Sequence, residues 1–78
     1  MSTQIIAPVP GIFYRRPAPD KAPFVETGDA VEAGQTIGVI EIMKQFTEVR
    51  SESAGVLESF AVEDMGMVGP GDAIATIN

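Results

Sequence analysis

An all-β sandwich or barrel is the fold that this sequence predicts. Eight Gly and six Pro cut 78 residues into short segments. The pieces between them are rich in Val, Ile and Thr, and none sustains a helical period. The third observation is an internal repeat. When residues 25–41 are laid over residues 62–78, an offset of 37, Val25 meets Val62 and Glu26 meets Glu63. Val31 meets Val68, Gly34 meets Gly71, Ile37 meets Ile74 and Ile40 meets Ile77. Upstream, Pro10–Phe13 resembles Ala54–Leu57 at an offset of 44. One β unit used twice predicts a barrel with two-fold pseudo-symmetry. The difference between the offsets leaves seven extra residues in the first copy.

Along the chain, Ile5-Ile6 opens the first strand. The extra residues fall in Tyr14–Phe24, where Pro17, Pro19 and Pro23 limit backbone freedom and withhold ladder donors. This segment is expected to project as a semi-stiff loop, either an inert insertion or an arm that touches a ligand or partner. Further strands are expected at Thr36–Ile42, Phe46–Arg50, Val56–Val62 and Ile74–Ile77. Charge content alone would allow a helix over 48–67. Gly55 and the Val56/Phe60/Val62 pattern oppose it.

Composition excludes much chemistry. The formal charge is −6, with 11 acidic and 5 basic residues, which argues against nucleic acid or an anionic membrane as partner. No Cys and no His are present. Thiolate metal sites, Cys nucleophiles and His general bases are therefore absent, and a self-sufficient enzyme is not expected. No apolar run is long enough to span a bilayer, and the N-terminus does not read as a signal peptide. The expected location is the cytoplasm.

The residues with chemistry lie between the two copies. Strand-like sequence runs up to Ile42-Met43-Lys44-Gln45 from both sides, and that stretch holds no Gly, Pro, Asn or Asp. A reversal here has to be a tight hairpin built on Met43 and Lys44, with positive φ at one or both. Non-Gly residues in such positions are strained and are enriched at functional sites. Lysine is scarce, with only Lys21 and Lys44. An amine at a hairpin tip is protonated and inert at neutral pH until a partner enzyme deprotonates and acylates it. From spacing alone, Lys44 reads more readily as a solubilising charge on a turn than as a modification site.

The run Glu41-Ile42-Met43-Lys44 resembles the attachment motif E-A-M-K-M of biotinyl domains. Gly11–Arg15 resembles the G-T-F-Y-R opening of biotin carboxyl carrier proteins of acetyl-CoA carboxylase. Pro17-Ala18-Pro19-Asp20 through Pro23-Phe24-Val25 is similar to the P-S-P-D…P-F-V stretch that follows it. Val25–Val31 looks like V-E-V-G-x-x-V, and Ala54-Gly55-Val56 resembles the glycine turn after the attachment hairpin. The resemblance covers about residues 8–78. Gln45 stands where the motif has its second Met, and Ile42 where it has Ala. The long Pro/Ala-rich segment that precedes this region in the family is not seen, so the chain reads as a trimmed piece or a stand-alone small carrier.

The resemblance implies a flattened barrel of two four-stranded antiparallel sheets with quasi-two-fold symmetry. It assigns residues 1–7 to a tail and the start of the first strand, and 8–78 to a biotinyl domain. Within that domain, a Pro-rich thumb covers about 14–24 and the attachment hairpin about 39–49. By the same resemblance a biotin protein ligase links biotin to Lys44. The arm is carboxylated at a biotin carboxylase site and delivers the carboxyl group at a carboxyltransferase site, with acetyl-CoA or another small molecule as acceptor. The carrier is non-catalytic. Met43, Glu41 and Gln45 are the expected ligase or partner recognition residues. In the thumb, Arg15, Arg16 and Lys21 either meet the cofactor or a partner or are simply solvated. Two other readings stand beside this one. A lipoyl carrier has the same fold but places its lysine in a D-K-A context, where this chain has M-K-Q. An unmodified interaction module would leave Lys44 idle.

Overall fold

A computed structural model describes residues 2–18 and 20–78 of the chain. Met1, which the sequence reading places in the tail, and Pro19, which it places in the thumb, lie outside the described residues. Eight strands follow in order among the described residues: β1 (Thr3–Ile6), β2 (Gly11–Tyr14), β3 (Ala30–Val31), β4 (Thr36–Ile42), β5 (Gln45–Arg50), β6 (Gly55–Phe60), β7 (Met67–Val68) and β8 (Ala73–Ile77). They form two four-stranded sheets, ordered β1-β8-β6-β3 and β5-β4-β2-β7. Every pairing is antiparallel. This is the all-β, two-sheet architecture expected from the sequence.

The repeat is visible in three dimensions. A shift of 44 carries β1 onto β5 and β2 onto β6, and a shift of 37 carries β3 onto β7 and β4 onto β8. Applied to the order of one sheet, these shifts give the order of the other. The hydrogen bonds repeat as well. Ala7 N donates to Asp72 O at 2.8 Å, and Ser51 N donates to Gln35 O at 2.9 Å. Gly34 and Gly71 hold the same left-handed turn, with φ of 88° and 89°. The two shortest strands, β3 and β7, carry the matched Val31 and Val68 yet are only two residues long. Two residues offer no alternation to read, so no strand is expected there from pattern alone.

Alternation along the longer strands sends one set of side chains inward. Phe13, Ile37, Ile40, Leu57 and Ile74 are fully buried. The core pairs up across the repeat: Phe13 with Leu57, Ile5 with Val49, Val31 with Val68, Ile37 with Ile74 and Ile40 with Ile77. Each such side chain contributes roughly 1.5–3 kcal/mol by leaving water. The strand Thr3–Ile6 takes part fully, since it pairs with β8 and supplies Ile5 to the core.

The proline-rich loop is held down more firmly than a free arm. Its first residue after β2, Arg15, donates its backbone N–H to Asp64 Oδ1 at 2.8 Å. The Arg15 guanidinium lies 4.3 Å from the centre of the Phe60 ring, whose other neighbour is Phe13 at 6.0 Å. Arg16 Nε sits 3.9 Å from Asp64 Oδ2. Phe24 N returns to Arg15 O at 2.9 Å and closes the base of the loop. Its tip residues Pro17, Asp20, Lys21 and Ala22 are exposed.

Candidate functional site

The hairpin between β4 and β5 closes as the sequence requires. Ile42 pairs with Gln45, leaving Met43 and Lys44 as the two central residues. Both have positive φ, 49° and 66°, which is the geometry of a type I′ turn. A turn of this type continues the right-handed twist of paired strands. Met43 is 90% exposed and Lys44 is exposed. Among the described residues, no carboxylate lies within ion-pair distance of the Lys44 amine; the two ion pairs are Arg16–Asp64 and Arg50–Glu48.

Behind the tip, side chains form rows across the outer face of the sheet. Phe46 is opposite Glu41, Glu41 is opposite Ile12, and Ile12 is opposite Met67. Directly opposed residues share a face. Phe46 and Met67 are therefore exposed, while Glu41 is half-buried between strands. Tyr14, one diagonal step from Glu41, donates its hydroxyl to Glu41 Oε1 at 3.2 Å. Partial loss of water raises the Tyr14 pKa above 10.0, and the adjacent Glu41 and then Asp64 push it the same way. Farther down the hairpin, the Arg50 guanidinium holds the Glu48 carboxyl below its ordinary value, helped by the Thr36 hydroxyl.

A groove of about 580 Å³ opens between this face and the proline-rich loop. Tyr14, Glu41 and Phe46 form the sheet wall, and Arg16, Pro17 and Ala18 form the loop wall. Asp64 and Met65 complete it from the turn before β7.

Of the residues expected to matter, Glu41, Met43, Lys44 and Gln45 come together on one hairpin. Gln45 is exposed beside Lys44. Lys21 is exposed on the loop, with its carbonyl accepting from Arg16 at 3.5 Å. Tyr14, Phe46, Asp64 and Met65 line the groove beyond the residues expected from the sequence. Tyr14 and Asp64 act across 27 and 49 residues, which no local pattern reports. Met65 did carry a signal, because the repeat sets it opposite Gly28.

The family described as "Biotin-requiring enzyme", the biotin/lipoyl family, matches residues 3–77. The chain is 41% identical over 58 residues to the chloroplastic biotin carboxyl carrier protein of acetyl-CoA carboxylase 2 from Arabidopsis thaliana, covering 74% of this chain and 23% of that one. It is 36% identical over 73 residues to the biotin carboxyl carrier protein of Porphyra purpurea, covering 94% and 46%. Against the Haemophilus influenzae counterpart it is 34% identical over 58 residues, covering 74% and 37%. The urea carboxylase of Kluyveromyces lactis contains the same fold, with a TM-score of 0.81 and 27% identity over all of this chain and 6% of that one. The chain therefore belongs to the biotin/lipoyl family. It spans less than half the length of these relatives.

Proposed function

We propose that this chain is a biotin carboxyl carrier domain, with Lys44 as the residue that carries biotin. One observation supports this above the others. The Lys44 amine stands in solvent on a two-residue turn, without a carboxylate partner among the described residues. An acyl-transferring ligase needs an amine that is reachable from outside and not tied up in an ion pair. A tight turn with two left-handed residues presents it in a fixed place. Biotin, once bound as an amide, supplies a ureido nitrogen that accepts and releases a carboxyl group.

The domain's own residues do no bond-making in this reading. Lys44 tethers. The rigid β4–β5 ladder sets where the tether starts, and tethering raises the local concentration of the carried group at two active sites in turn. Glu41, Met43 and Gln45 share the hairpin with Lys44 and are the surface that a biotin protein ligase reads. The other partners are a biotin carboxylase and a carboxyltransferase subunit. Relatives named for acetyl-CoA carboxylase favour acetyl-CoA as the final acceptor. The net charge of −6 suits a carrier that works in the cytoplasm without nucleic acid or membrane. No helix among the described residues is long and apolar enough to cross a membrane.

Intact mass after co-expression with a biotin protein ligase tests the reading. A biotin adduct mapped to Lys44 is the expected result. A lipoyl adduct, or none, overturns it. Lys44→Arg should abolish streptavidin reactivity, and Lys21→Arg should leave it. Loss of the signal on changing Lys21 alone would move the attachment site off the hairpin.

A further inference from the structure

The β5-β4-β2-β7 sheet carries one row of side chains across its outer face: Phe46, Glu41, Ile12 and Met67. The row starts at the rung next to the Ile42–Gln45 pair that closes the tip turn. Three strand spacings, about 14 Å, separate its ends. Phe46 is 59% exposed and Met67 is 84% exposed, so neither end is held in the core.

The repeat supplies an internal control. Shifts of 44 and 37 carry this row onto Ser2, Asn78, Val56 and Ala30 of the other sheet. The backbone there is the same. Val56 pairs with Ala30, and Val56 and Asn78 exchange N–H···O bonds of 3.0 and 2.8 Å. The fold is therefore satisfied by Ser and Ala at the two ends, and Phe and Met replace them only beside the tip. Ile12 also stands where the G-T-F-Y-R motif has Thr. Single exposed apolar residues are ordinary, but a contiguous apolar row with a polar centre marks a protein contact.

Glu41 sets the chemistry of the partner. It is half-buried in the row and accepts from the Tyr14 hydroxyl at 3.2 Å. Among the described residues no Arg or Lys pairs with it, since the two ion pairs are Arg16–Asp64 and Arg50–Glu48. Covering the row removes water from this carboxylate, which is tolerated only when the cover brings a cation. A second copy is a poor cover. Its Arg15, Arg16 and Arg50 are engaged on Phe60, Asp64 and Glu48, and both copies carry −6. The fitting surface is an apolar projection beside a basic side chain on a different protein.

We infer that this row is the seat for the biotin carboxylase, which places a basic side chain on Glu41. This rests on the carrier reading above. Loading a carboxyl group consumes anions, bicarbonate and the phosphoryl donor that activates it, so the mouth of that enzyme is positive. The ligase needs the amine itself, which the turn already offers, and acts once per chain. The carboxylase is met and left at every turnover. A short row interrupted by a carboxylate suits such a transient contact.

The test uses the chain loaded by a biotin protein ligase, with the adduct verified by mass, and the biotin carboxylase of its own cell as probe. Phe46→Ser combined with Met67→Ala installs the residues of the equivalent row. A melt within about 4 °C of the natural chain shows that the fold is kept. The rate of biotinylation should be unchanged, while the KM of the carboxylase for the loaded chain rises about tenfold at constant kcat. Added salt should raise KM for the natural chain and leave it flat for loaded Glu41→Gln. Val56→Ala, on the equivalent row, should leave KM as it is. In the natural chain labelled with methyl-¹³C methionine, the Met67 methyl should shift when the carboxylase is added. An unchanged KM in the double variant, or a silent Met67 methyl, overturns the proposal. A slower biotinylation with KM intact also overturns it and gives the face to the ligase. So does a dimer of the natural chain that the double variant loses, which gives the face to a second copy. Absence of any adduct on Lys44 sinks the carrier reading and this inference together. An adduct with an indifferent KM sinks this inference alone.

Discussion

The Tyr14 hydroxyl donates to Glu41 Oε1 at 3.2 Å, joining β2 to β4 beside the tip hairpin. Tyr14 is the only tyrosine in the chain, so its ionisation is read cleanly by ultraviolet absorbance. The midpoint should lie above 10.0. Glu41→Gln removes the negative charge and should lower the midpoint, but it should remain above 10.0 because partial loss of water is the largest cause. The sign for stability follows. A folded-state pKa raised above the unfolded value contributes stability that is present below pH 10 and lost as pH rises through the folded value. Alkaline melting should therefore fall more steeply for the natural chain than for Tyr14→Phe. A midpoint unmoved by Glu41→Gln would show that the bond does not form in solution.

The tip trades stability for display. Met43 has φ of 49° and is almost fully solvated, so its side chain does little for the fold. Asn tolerates this torsion far better. Met43→Asn should stabilise the domain by about 1 kcal/mol, raising Tm by roughly 4–8 °C. The same change should slow modification by the ligase. A thermal melt and a time course of streptavidin reactivity read the two effects separately.

Asp64 fastens the proline-rich loop through two oxygens, one on the Arg15 amide and one facing Arg16. Asp64→Ala removes both contacts, and the Arg15 amide should then exchange with solvent roughly five- to thirtyfold faster, for a loss of about 1–2 kcal/mol. Asp64→Asn keeps the acceptor and loses the charge, so it should fall between. Added salt should speed exchange in the natural chain and leave Asp64→Asn unaffected. Equal exchange in all three would mean that the loop is held by the Arg15–Phe60 stack alone.

Leu57 and Phe13 fill equivalent places in the two halves, and both are fully buried. Leu57→Ala should destabilise by about 2–5 kcal/mol. A domain this small has little margin above that, so chemical denaturation should show a midpoint near zero denaturant or an unfolded chain. Val56→Ala, at a neighbouring position that is 45% exposed, should change stability far less.

Much of this architecture can be read from the residues. The Gly34/Gly71 and Val31/Val68 matches already carry the pseudo-symmetry, because each copy must make the same turns and fill the same core. The absence of turn residues between Ile42 and Gln45 forces Met43 and Lys44 into a strained reversal, which is the geometry found. The groove is a different matter. Its walls come from β2, β4, β5, the loop and the turn before β7, and hydrogen bonds spanning 27 and 49 residues set their spacing. The projecting loop also follows from its prolines only in part. Nothing local says that Arg15 would stack on Phe60 or that Asp64 would take its amide.

The pairing of Thr3 with Ile77 brings both ends of the described barrel together. A small cleft sets that pair beside Arg50–Ser53, where β5 finishes, roughly 17 Å of strand away from the Met43–Lys44 turn. Polypeptide spliced to either end thus leaves from the opposite pole. The molecule is mounted like a lamp on a bracket: its base can be bolted to a larger assembly while the Met43–Lys44 tip stays uncovered.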